Sequence, residues 1–405
     1  MNRGFYTILA AQFFSALADN ALLFAAIALL KELAAPDWHT PLLQEFFVIS
    51  YILLAPFVGP FADSMPKGRV MFLSNAVKLL GCLAMLAGMP PLYAYAIVGL
   101  GAAAYSPAKY GILTEYLPPS QLVIANSWME GATVMAIILG AIVGGLMISP
   151  QISEQILNWL GFGAMLSAPQ LAIIVITVLY LLAAWINLYI PRLPLDHRPL
   201  SKSPLFLLRD FWHSFRLLWK DPLGQVSLAV TTLFWGVGAT LRLVVLAWAA
   251  FNLKFDLAQA TQLTAMSALG IAVGAAVAGK WVRLENSVKV LPAGIILGLT
   301  VVSMIFVTDW RIALVLMFFV GALSGYFVVP LNALLQHRGH LLMGAGHSIA
   351  IQNFNENLGI LVLLGAYTFM VGHGVHIHWV IAAFGLFISL VMTIIWRRHR
   401  FDQVH

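Results

Sequence analysis

The chain has 405 residues, of which 61% are hydrophobic and only 9% are charged. Soluble domains carry about 25% charged residues, so the composition excludes an ordinary soluble protein and indicates one embedded in a membrane. The single cysteine, Cys82, excludes an internal disulfide and a thiolate metal cluster.

Twelve apolar stretches are predicted to cross the membrane, which makes the chain an all-α integral membrane protein. Each stretch reaches or approaches the ~20 residues that cross ~30 Å of hydrocarbon. They are expected near residues 5–33, 42–65, 70–89, 91–113, 122–148, 168–190, 225–252, 258–282, 288–308, 311–335, 343–371 and 376–396.

Basic residues are distributed unequally between the loops on the two sides of these spans. Of the 22 lysines and arginines, three lie deep inside spans, three lie in loops or at span ends on one side, and sixteen lie in loops or at span ends on the side of the termini. The sixteen are Arg3, Lys67, Arg69, Arg192, Arg198, Lys202, Arg209, Arg216, Lys220, Lys280, Arg283, Lys289, Arg338, Arg397, Arg398 and Arg400. The positive-inside rule therefore places both termini in the cytoplasm. Because the basic excess reports topology, a nucleic-acid partner is not expected.

The longest polar stretch divides the chain into two predicted bundles of six helices, residues 1–190 and 225–405, joined by a linker at 191–224. Within the linker, Leu205–Lys220 carries aromatic and basic residues at helical spacing. This pattern indicates an amphipathic helix on the cytoplasmic leaflet. The alternative is a simple tether between the bundles.

The two predicted bundles share sequence features in the same order. Pro107 aligns with Pro330 at an offset of 223, and residues 126–130 align with 352–356 at an offset of 226. Val58-Gly59 and Val273-Gly274 align at an offset of 215, and each pair precedes a short basic loop. Because the offsets agree within the length of a loop, the sequence predicts a duplicated six-span unit.

A duplicated six-span unit with a cytoplasmic linker resembles the major facilitator superfamily. The loop between the second and third spans, residues 59–69, is similar to the loop motif of that superfamily, with glycine, aspartate and then bases, although Pro66 stands where glycine is usual. In the superfamily this motif holds one conformation through the aspartate and an arginine. The resemblance therefore implies that Asp63, Lys67 and Arg69 are gating residues rather than substrate ligands.

Five strings narrow the resemblance to bacterial inner-membrane lysophospholipid transporters. They are ALADNALLF (16–24), YSPAKYGIL (105–113), LFWGVGATLR (233–242), FVVPLNALLQ (327–336) and GAGHSIAIQNFNEN (344–357). The resemblance implies that the chain moves lysophospholipids, such as lysophosphatidylethanolamine, toward the cytoplasmic leaflet for reacylation. It also implies a lysophospholipid acyltransferase as a functional partner, with the bilayer as the environment of both.

Six charged residues lie inside the predicted spans, namely Asp19, Lys78, Lys109, Glu130, Arg242 and Glu356. A charge at the bilayer centre costs at least ~2.5–3.5 kcal/mol, so such residues normally face a bundle interior or a watery cavity. Counting along each span places Asp19, Arg242 and Glu356 near mid-membrane and the other three in the cytoplasmic half. The helical period extends these charges into polar stripes, which are expected to converge on a central cavity.

Arg242 is the predicted phosphate ligand, because a guanidinium offers a fixed fork of donors that matches phosphate. Asp19 or Glu356 is the predicted partner of an ethanolamine ammonium. The alternative is that Arg242 forms a salt bridge with Asp19 or Glu356 and holds the bundles together.

The remaining candidates support this site. Lys109 draws the phosphate inward or belongs to a static cavity cluster with Lys78 and Glu130. Asn20 orients the Asp19 carboxylate or contacts the headgroup. Gln352 and Asn353 share the polar face of Glu356 and are expected to contact substrate.

We find no phosphate-binding glycine loop, nucleotide-hydrolysis motif or catalytic triad in the sequence, so an enzyme is not expected. No cofactor or metal is expected either, because the three histidines at 373, 376 and 378 lie in a polar loop without an acid or cysteine. Two rival functions stay open at this point. One is a proton-coupled exporter of amphipathic drugs, with Asp19, Glu130 or Glu356 as proton carriers, and the other is a membrane scaffold without transport.

Overall fold

The structure is a computed structural model that describes residues 2–36, 39–161, 165–193, 203–255 and 257–402. Within these ranges it contains fourteen α-helices and no β-strand. The helices are α1 (Arg3–Glu32), α2 (His39–Asp63), α3 (Lys67–Leu86), α4 (Pro91–Tyr116), α5 (Leu122–Ile148), α6 (Pro150–Leu160), α7 (Ala168–Asn187), α8 (Pro204–Lys220), α9 (Pro222–Trp248), α10 (Leu257–Trp281), α11 (Leu291–Ser303), α12 (Trp310–Met343), α13 (Ala345–Gly372) and α14 (Ile377–Asp402).

The predicted all-α membrane architecture is confirmed. Eleven helices in the described ranges are long and apolar enough to cross a membrane, by length and composition alone. The fourth predicted span corresponds to α4, a helix of 26 residues that is not among the eleven. The other two helices, α6 and α8, have 11 and 17 residues. Twelve helical stretches are thus consistent with the twelve predicted spans, and the ninth is α11 extended by 3-10 turns at both ends to Leu284–Phe306.

One helix end and one short helix differ from the sequence prediction. The tenth span was expected to end near residue 335, but α12 continues to Met343 and ends at Gly344, which adopts a φ of +104°. Hydropathy locates the end of an apolar run, whereas a helix continues through polar residues until a backbone break. Arg338, expected in a loop, therefore lies on α12. The short helix α6 was not predicted at all.

The segment predicted as the linker contains a helix. Its amphipathic segment is helical, since α8 begins at Pro204 and ends at Lys220. Asp221 then begins the next helix, because its carboxylate accepts the Gly224 N–H at 2.8 Å. Arg198 and Lys202 lie outside the described residues.

The described chain divides into two compact units whose members are interleaved in sequence. Unit 1 comprises residues 1–116, 135–212 and 344–350, and unit 2 comprises residues 117–134, 213–343 and 351–405. Each unit therefore contains a short segment from a helix whose remainder belongs to the other unit. The sequence division at 190 and 225 stays a prediction.

The same set of helix contacts occurs within each predicted bundle. In the first, α4 packs against α2 and α3, and α7 packs against α1 and α3. In the second, α12 packs against α10 and α11, and α14 packs against α9 and α11. Each contact recurs between helices six spans apart in the predicted order, as a duplicated unit requires.

Candidate functional site

A charged cluster in unit 1 is centred on Asp19 of α1 and Lys78 of α3. The Lys78 ammonium donates to Asp19 Oδ2 at 2.8 Å and to Ser15 Oγ at 3.0 Å. The Ser15 hydroxyl donates to Asn75 Oδ1 at 2.8 Å. Tyr180 of α7 donates its hydroxyl to the second oxygen, Asp19 Oδ1, at 2.6 Å. The polar stripes predicted on the first and third spans thus meet directly.

Burial within this ion pair is unequal. The Lys78 side chain is 1% exposed, whereas that of Asp19 is 25% exposed. The lysine ammonium also lies 4.6 Å from the centre of the Tyr105 ring, a distance at which a cation is attracted to an aromatic face. Lys78 is therefore held inside the unit, and Asp19 is the member of the pair that another molecule can reach.

The contact between Asp19 and Lys78 was not expected from sequence. Counting along the spans placed Asp19 near mid-membrane and Lys78 nearer the cytoplasm, yet the two side chains form an ion pair. Counting from helix ends ignores both the reach of a lysine side chain and the tilt of its helix. The pair also gives Lys78 a carboxylate partner within unit 1 that the sequence did not predict, and Tyr180 was missed because a lone tyrosine in an apolar run carries no signal.

Two further candidates lie in unit 1. Asn20 donates its amide to the Ala16 carbonyl at 2.8 Å, so in this structure its Nδ2 does not orient the neighbouring carboxylate. The Lys109 ammonium lies 4.5 Å from the centre of the Tyr110 ring. Both side chains are half-buried.

Unit 2 contains a different kind of acidic site, built around Glu356 on α13. Gln352 donates its amide to Glu356 Oε1 at 2.7 Å and to Asn332 Oδ1 of α12 at 2.8 Å. All three side chains are buried, as are Asn353 and Glu130 in the same unit. Among the described residues of unit 2, no lysine or arginine forms an ion pair with Glu356. A neutral amide, that of Gln352, therefore donates to this carboxyl group.

Arg242 on α9 is exposed and, within the described part of unit 2, makes neither an ion pair nor a side-chain hydrogen bond. Gly238 lies one turn before it, and a Cβ at that glycine would meet no atom within 4 Å. The small residues on this face thus leave open space beside the guanidinium. An unpaired charge in an apolar span is costly, which favours a ligand as its partner.

A second cluster in unit 1 surrounds Asp63, the last residue of α2. Its carboxylate accepts the Gly346 N–H at 2.8 Å and the His347 N–H at 3.1 Å, and His347 Nδ1 lies 2.6 Å from Oδ2. The two backbone donors belong to the first turn of α13, where a negative charge is stabilised by about 0.3–1 kcal/mol. The cluster therefore joins α2 to the N-terminus of α13.

Lys67 is the basic partner of Asp63. Its ammonium lies 2.7 Å from Asp63 Oδ1 and 3.0 Å from Glu115 Oε1, and it donates to the Ala62 carbonyl at 2.8 Å. The superfamily motif pairs the aspartate with an arginine, but Arg69 is exposed and forms no ion pair in the described part of the chain. Lys67 takes this role because it is the first residue of α3 and its side chain turns inward, 3% exposed.

His347 connects the Asp63 cluster to the linker helix α8. Its Nε2 lies 3.1 Å from Asp210 Oδ2, so each ring nitrogen faces a carboxylate oxygen. Both contacts are hydrogen bonds only when the imidazole carries a proton on each nitrogen. His347, Asp210 and Glu115 were missed from sequence. The one available signal was the polar residue within GAGHSIA, at the start of α13.

Two further polar contacts in unit 2 were also not predicted. Asn126 and Gln336 exchange side-chain hydrogen bonds in both directions, at 2.9 and 2.8 Å, and both are buried. Arg338 forms a two-nitrogen contact with the Asp221 carboxylate, with Nε at 3.0 Å from Oδ2. Burial acts to raise the pKa of Asp221, but the hydrogen bonds from Arg338 and Gly224 outweigh it and lower the pKa below its ordinary value.

Comparisons with known proteins agree on fold and differ in how closely they match. A family model described as Major Facilitator Superfamily matches residues 8–364. "Lysophospholipid transporter LplT" of Serratia proteamaculans is 44% identical over 372 residues, which is 92% of this chain and 89% of that protein. The protein of the same name from Yersinia enterocolitica is 44% identical over 377 residues, covering 93% and 89%.

Solved structures of low identity show the same fold. The fucose transporter FucP, solved in an outward conformation, has a TM-score of 0.76 at 12% identity and covers 98% of each chain. The human organic anion transporter MFSD10 has a TM-score of 0.73 at 13% identity, covering 97% of this chain and 100% of that one. Transporters of unlike substrates thus share this architecture, and the closer sequence matches carry the information on substrate.

Proposed function

Since the chain belongs to the LplT family of the Major Facilitator Superfamily, we propose that it moves lysophospholipids across the membrane that its helices span. The observation that carries this proposal is the 44% identity to lysophospholipid transporters over 92% of the chain. The arrangement of charges supports it, because a zwitterionic headgroup needs both an anionic and a cationic partner.

In the proposed orientation, both termini lie in the cytoplasm of a bacterial cell and the spans cross the inner membrane. The bias of basic residues toward the loops on the side of the termini supports this orientation. Movement is toward the cytoplasmic leaflet, where a lysophospholipid acyltransferase restores the second acyl chain. The acyltransferase is thus a functional partner.

Arg242 is the proposed phosphate ligand. Its exposed guanidinium, without a protein partner in unit 2, and the open space at Gly238 support this role. A guanidinium binds phosphate through two parallel hydrogen bonds, which a lysine cannot reproduce. Gln352, Asn353 and Lys109 are proposed to provide further polar contacts to the headgroup.

Asp19 is the proposed site for the ethanolamine ammonium. In the structure its carboxylate is bound by the Lys78 ammonium, which is the same chemical group, R–NH3⁺. The substrate amine is proposed to join Lys78 at the partly exposed Asp19 carboxylate, so that Lys78 keeps its partner, while the Tyr180 hydroxyl holds Oδ1 in place. Glu356 is the alternative acid, and Glu130 remains part of the charged surroundings.

The Asp63 cluster is proposed to act as a gate. Asp63 holds the first turn of α13 through two backbone amides and one imidazole, while Lys67 neutralises it. Opening requires these bonds to break together, so Asp63 and Lys67 set the stability of the closed gate. Arg69, which is exposed, is proposed to contribute only when the gate has opened.

Uptake of labelled lysophosphatidylethanolamine by vesicles that contain only the purified protein tests the proposed function. We expect uptake that requires the protein, that persists when the proton gradient is dissipated and that strongly favours one acyl chain over two. Each methylene of a second chain needs burial that is worth about 0.8 kcal/mol. A site for lysolipids does not provide the apolar space for that chain. Absence of lysolipid movement would indicate a scaffold, and movement of amphipathic drugs driven by a proton gradient would indicate an exporter.

A further inference from the structure

Helix α8 has two faces of different character. Leu207, Phe211, Ser214 and Leu218 are buried against the protein. On the opposite face Leu205 is 76% exposed and Trp212 is 47% exposed. The exposed face is therefore not polar throughout, as a helix that only tethers two bundles in water would be.

The exposed face of α8 consists of two parallel edges that run along the helix. Leu205, Leu208 and Trp212 follow one another at spacings of three and four residues and form one edge. Arg209, His213, Arg216 and Lys220 repeat at the same spacings and form the other edge. Residues three and four apart lie above one another on a helix, so each edge is continuous. Asp210, the one acidic residue of α8, points elsewhere and contacts His347.

Contacts with α13 place α8 at the level of the membrane surface. Asp210 meets His347 in the first turn of α13, and the Phe215 ring lies 6.1 Å from the ring of Phe354 two turns further on. With its 28 residues, α13 is about 42 Å long and extends about 6 Å beyond each side of a 30 Å hydrocarbon layer. Phe354, about 13 Å from the start of α13, then lies within the hydrocarbon. The apolar edge of α8 is on the Phe215 side, and the basic edge is turned away from it.

From these observations we propose that the outer face of α8 is a docking surface for anionic phospholipids of the leaflet it meets, which is the cytoplasmic one in the orientation given above. The apolar edge (Leu205, Leu208 and Trp212) enters the acyl-chain boundary. On the basic edge, the three charged residues Arg209, Arg216 and Lys220 bind the headgroup phosphates. Charge complementarity selects this occupant, because the exposed face carries bases and no acid. The proposal concerns lipids that stay in the leaflet and does not depend on which substrate is transported.

A spin label on α8 tests the proposal in the full-length protein. The label is attached at Leu205→Cys in a Cys82→Ser background, and its accessibility to oxygen and to a water-soluble nickel reagent is measured. The vesicles contain phosphatidylcholine alone or phosphatidylcholine mixed with phosphatidylglycerol. We expect the label to become shielded from nickel when phosphatidylglycerol is present. Arg209→Gln with Arg216→Gln should weaken this docking roughly thirtyfold, since each base near an anionic surface contributes about fivefold.

The matched control is Arg283→Gln with Lys289→Gln, which removes the same charge from two exposed bases outside α8. This control should leave the shielding unchanged. Native mass spectrometry of the unlabelled protein gives a second measurement, in which phosphatidylglycerol retained by the wild type is lost from the Arg209 and Arg216 variant only. A label equally open to nickel in both kinds of vesicle overturns the proposal and points to a protein as the occupant. Equal loss of shielding in the control overturns it as well.

Discussion

The two acidic sites inside the described units differ in how their charge is compensated. In unit 1 Asp19 is neutralised by a buried lysine, whereas in unit 2 the Gln352 amide donates to Glu356 and Arg242 is exposed. A partly exposed carboxylate can accept a second ammonium, and an exposed guanidinium can accept an anion. The difference supports the proposed division of tasks, in which Asp19 binds the amine and Arg242 binds the phosphate.

The largest expected effect on uptake is at Arg242. Arg242→Ala should lower lysophospholipid uptake at least about tenfold, because a hydrogen bond to a charged group contributes about 1.5–3 kcal/mol. Arg242→Lys keeps the charge but loses the two-nitrogen contact, so it should recover only part of the activity. Uptake in vesicles at matched protein content is the measurement. Wild-type rates in either variant would refute phosphate recognition by this residue.

The ion pair of unit 1 should show unequal costs when either partner is removed. Asp19→Asn leaves the Lys78 ammonium buried without an anionic partner, and loss of a buried partner costs about 3–5 kcal/mol. Lys78→Met should cost less, because Asp19 is partly exposed and keeps Tyr180. The double variant should recover most of the stability lost in Asp19→Asn. Thermal unfolding of the four proteins in detergent measures this cycle, and additive losses would contradict direct pairing.

The Asp63 cluster offers a comparison within a single helix. A Cβ on Gly346 would lie 2.6 Å from Asp63 Oδ1, whereas one on Gly365 would meet nothing within 4 Å. Gly346→Ala should therefore destabilise the protein by about 1–3 kcal/mol through crowding. Gly365→Ala, later in α13, should be neutral or stabilising by up to about 1 kcal/mol, since alanine favours a helix. Equal melting temperatures for the two variants would mean that Asp63 does not hold the first turn of α13.

The smallest expected effect on stability is at Asp210, whose carboxylate contacts His347 of the same cluster. The Asp210 side chain is 34% exposed, and exposed ion pairs contribute about 0–1 kcal/mol. Asp210→Asn should therefore change stability by less than about 1 kcal/mol, and Asp63→Asn should cost more because Asp63 is buried and accepts four contacts. Denaturation in detergent compares the stability of the two variants. A larger loss for Asp210→Asn than for Asp63→Asn would show that the Asp63 cluster depends on its contact with α8.

How much of this molecule could be predicted from its sequence depends on the kind of feature. Long apolar runs predicted the membrane helices, and the helical period of Leu205–Lys220 predicted α8, because both signals are local. The end of α12 and the helix α6 were missed, since helix boundaries depend on backbone breaks and side-chain caps rather than on hydropathy. The positions of the embedded charges were also evident, because charge is rare in an apolar span.

Partners were harder to predict than positions. Lys78 was assigned to a different depth from Asp19, and neither Tyr180 nor His347 was foreseen. These pairings depend on helix tilt and on residues that are distant in sequence, for which a single chain carries no local pattern. Lys67 rather than Arg69 pairs with Asp63 for a similar reason, because only the structure shows which base turns inward.

The most direct test of the division of tasks is the ratio of uptake for two headgroups in two variants. Lysophosphatidylethanolamine has an amine and lysophosphatidylglycerol has none, while both carry a phosphate. Asp19→Asn should reduce uptake of the first lipid more than that of the second, and Arg242→Ala should reduce both to the same extent. If Asp19→Asn lowers both lipids equally, Asp19 does not read the amine and its pairing with Lys78 is structural only.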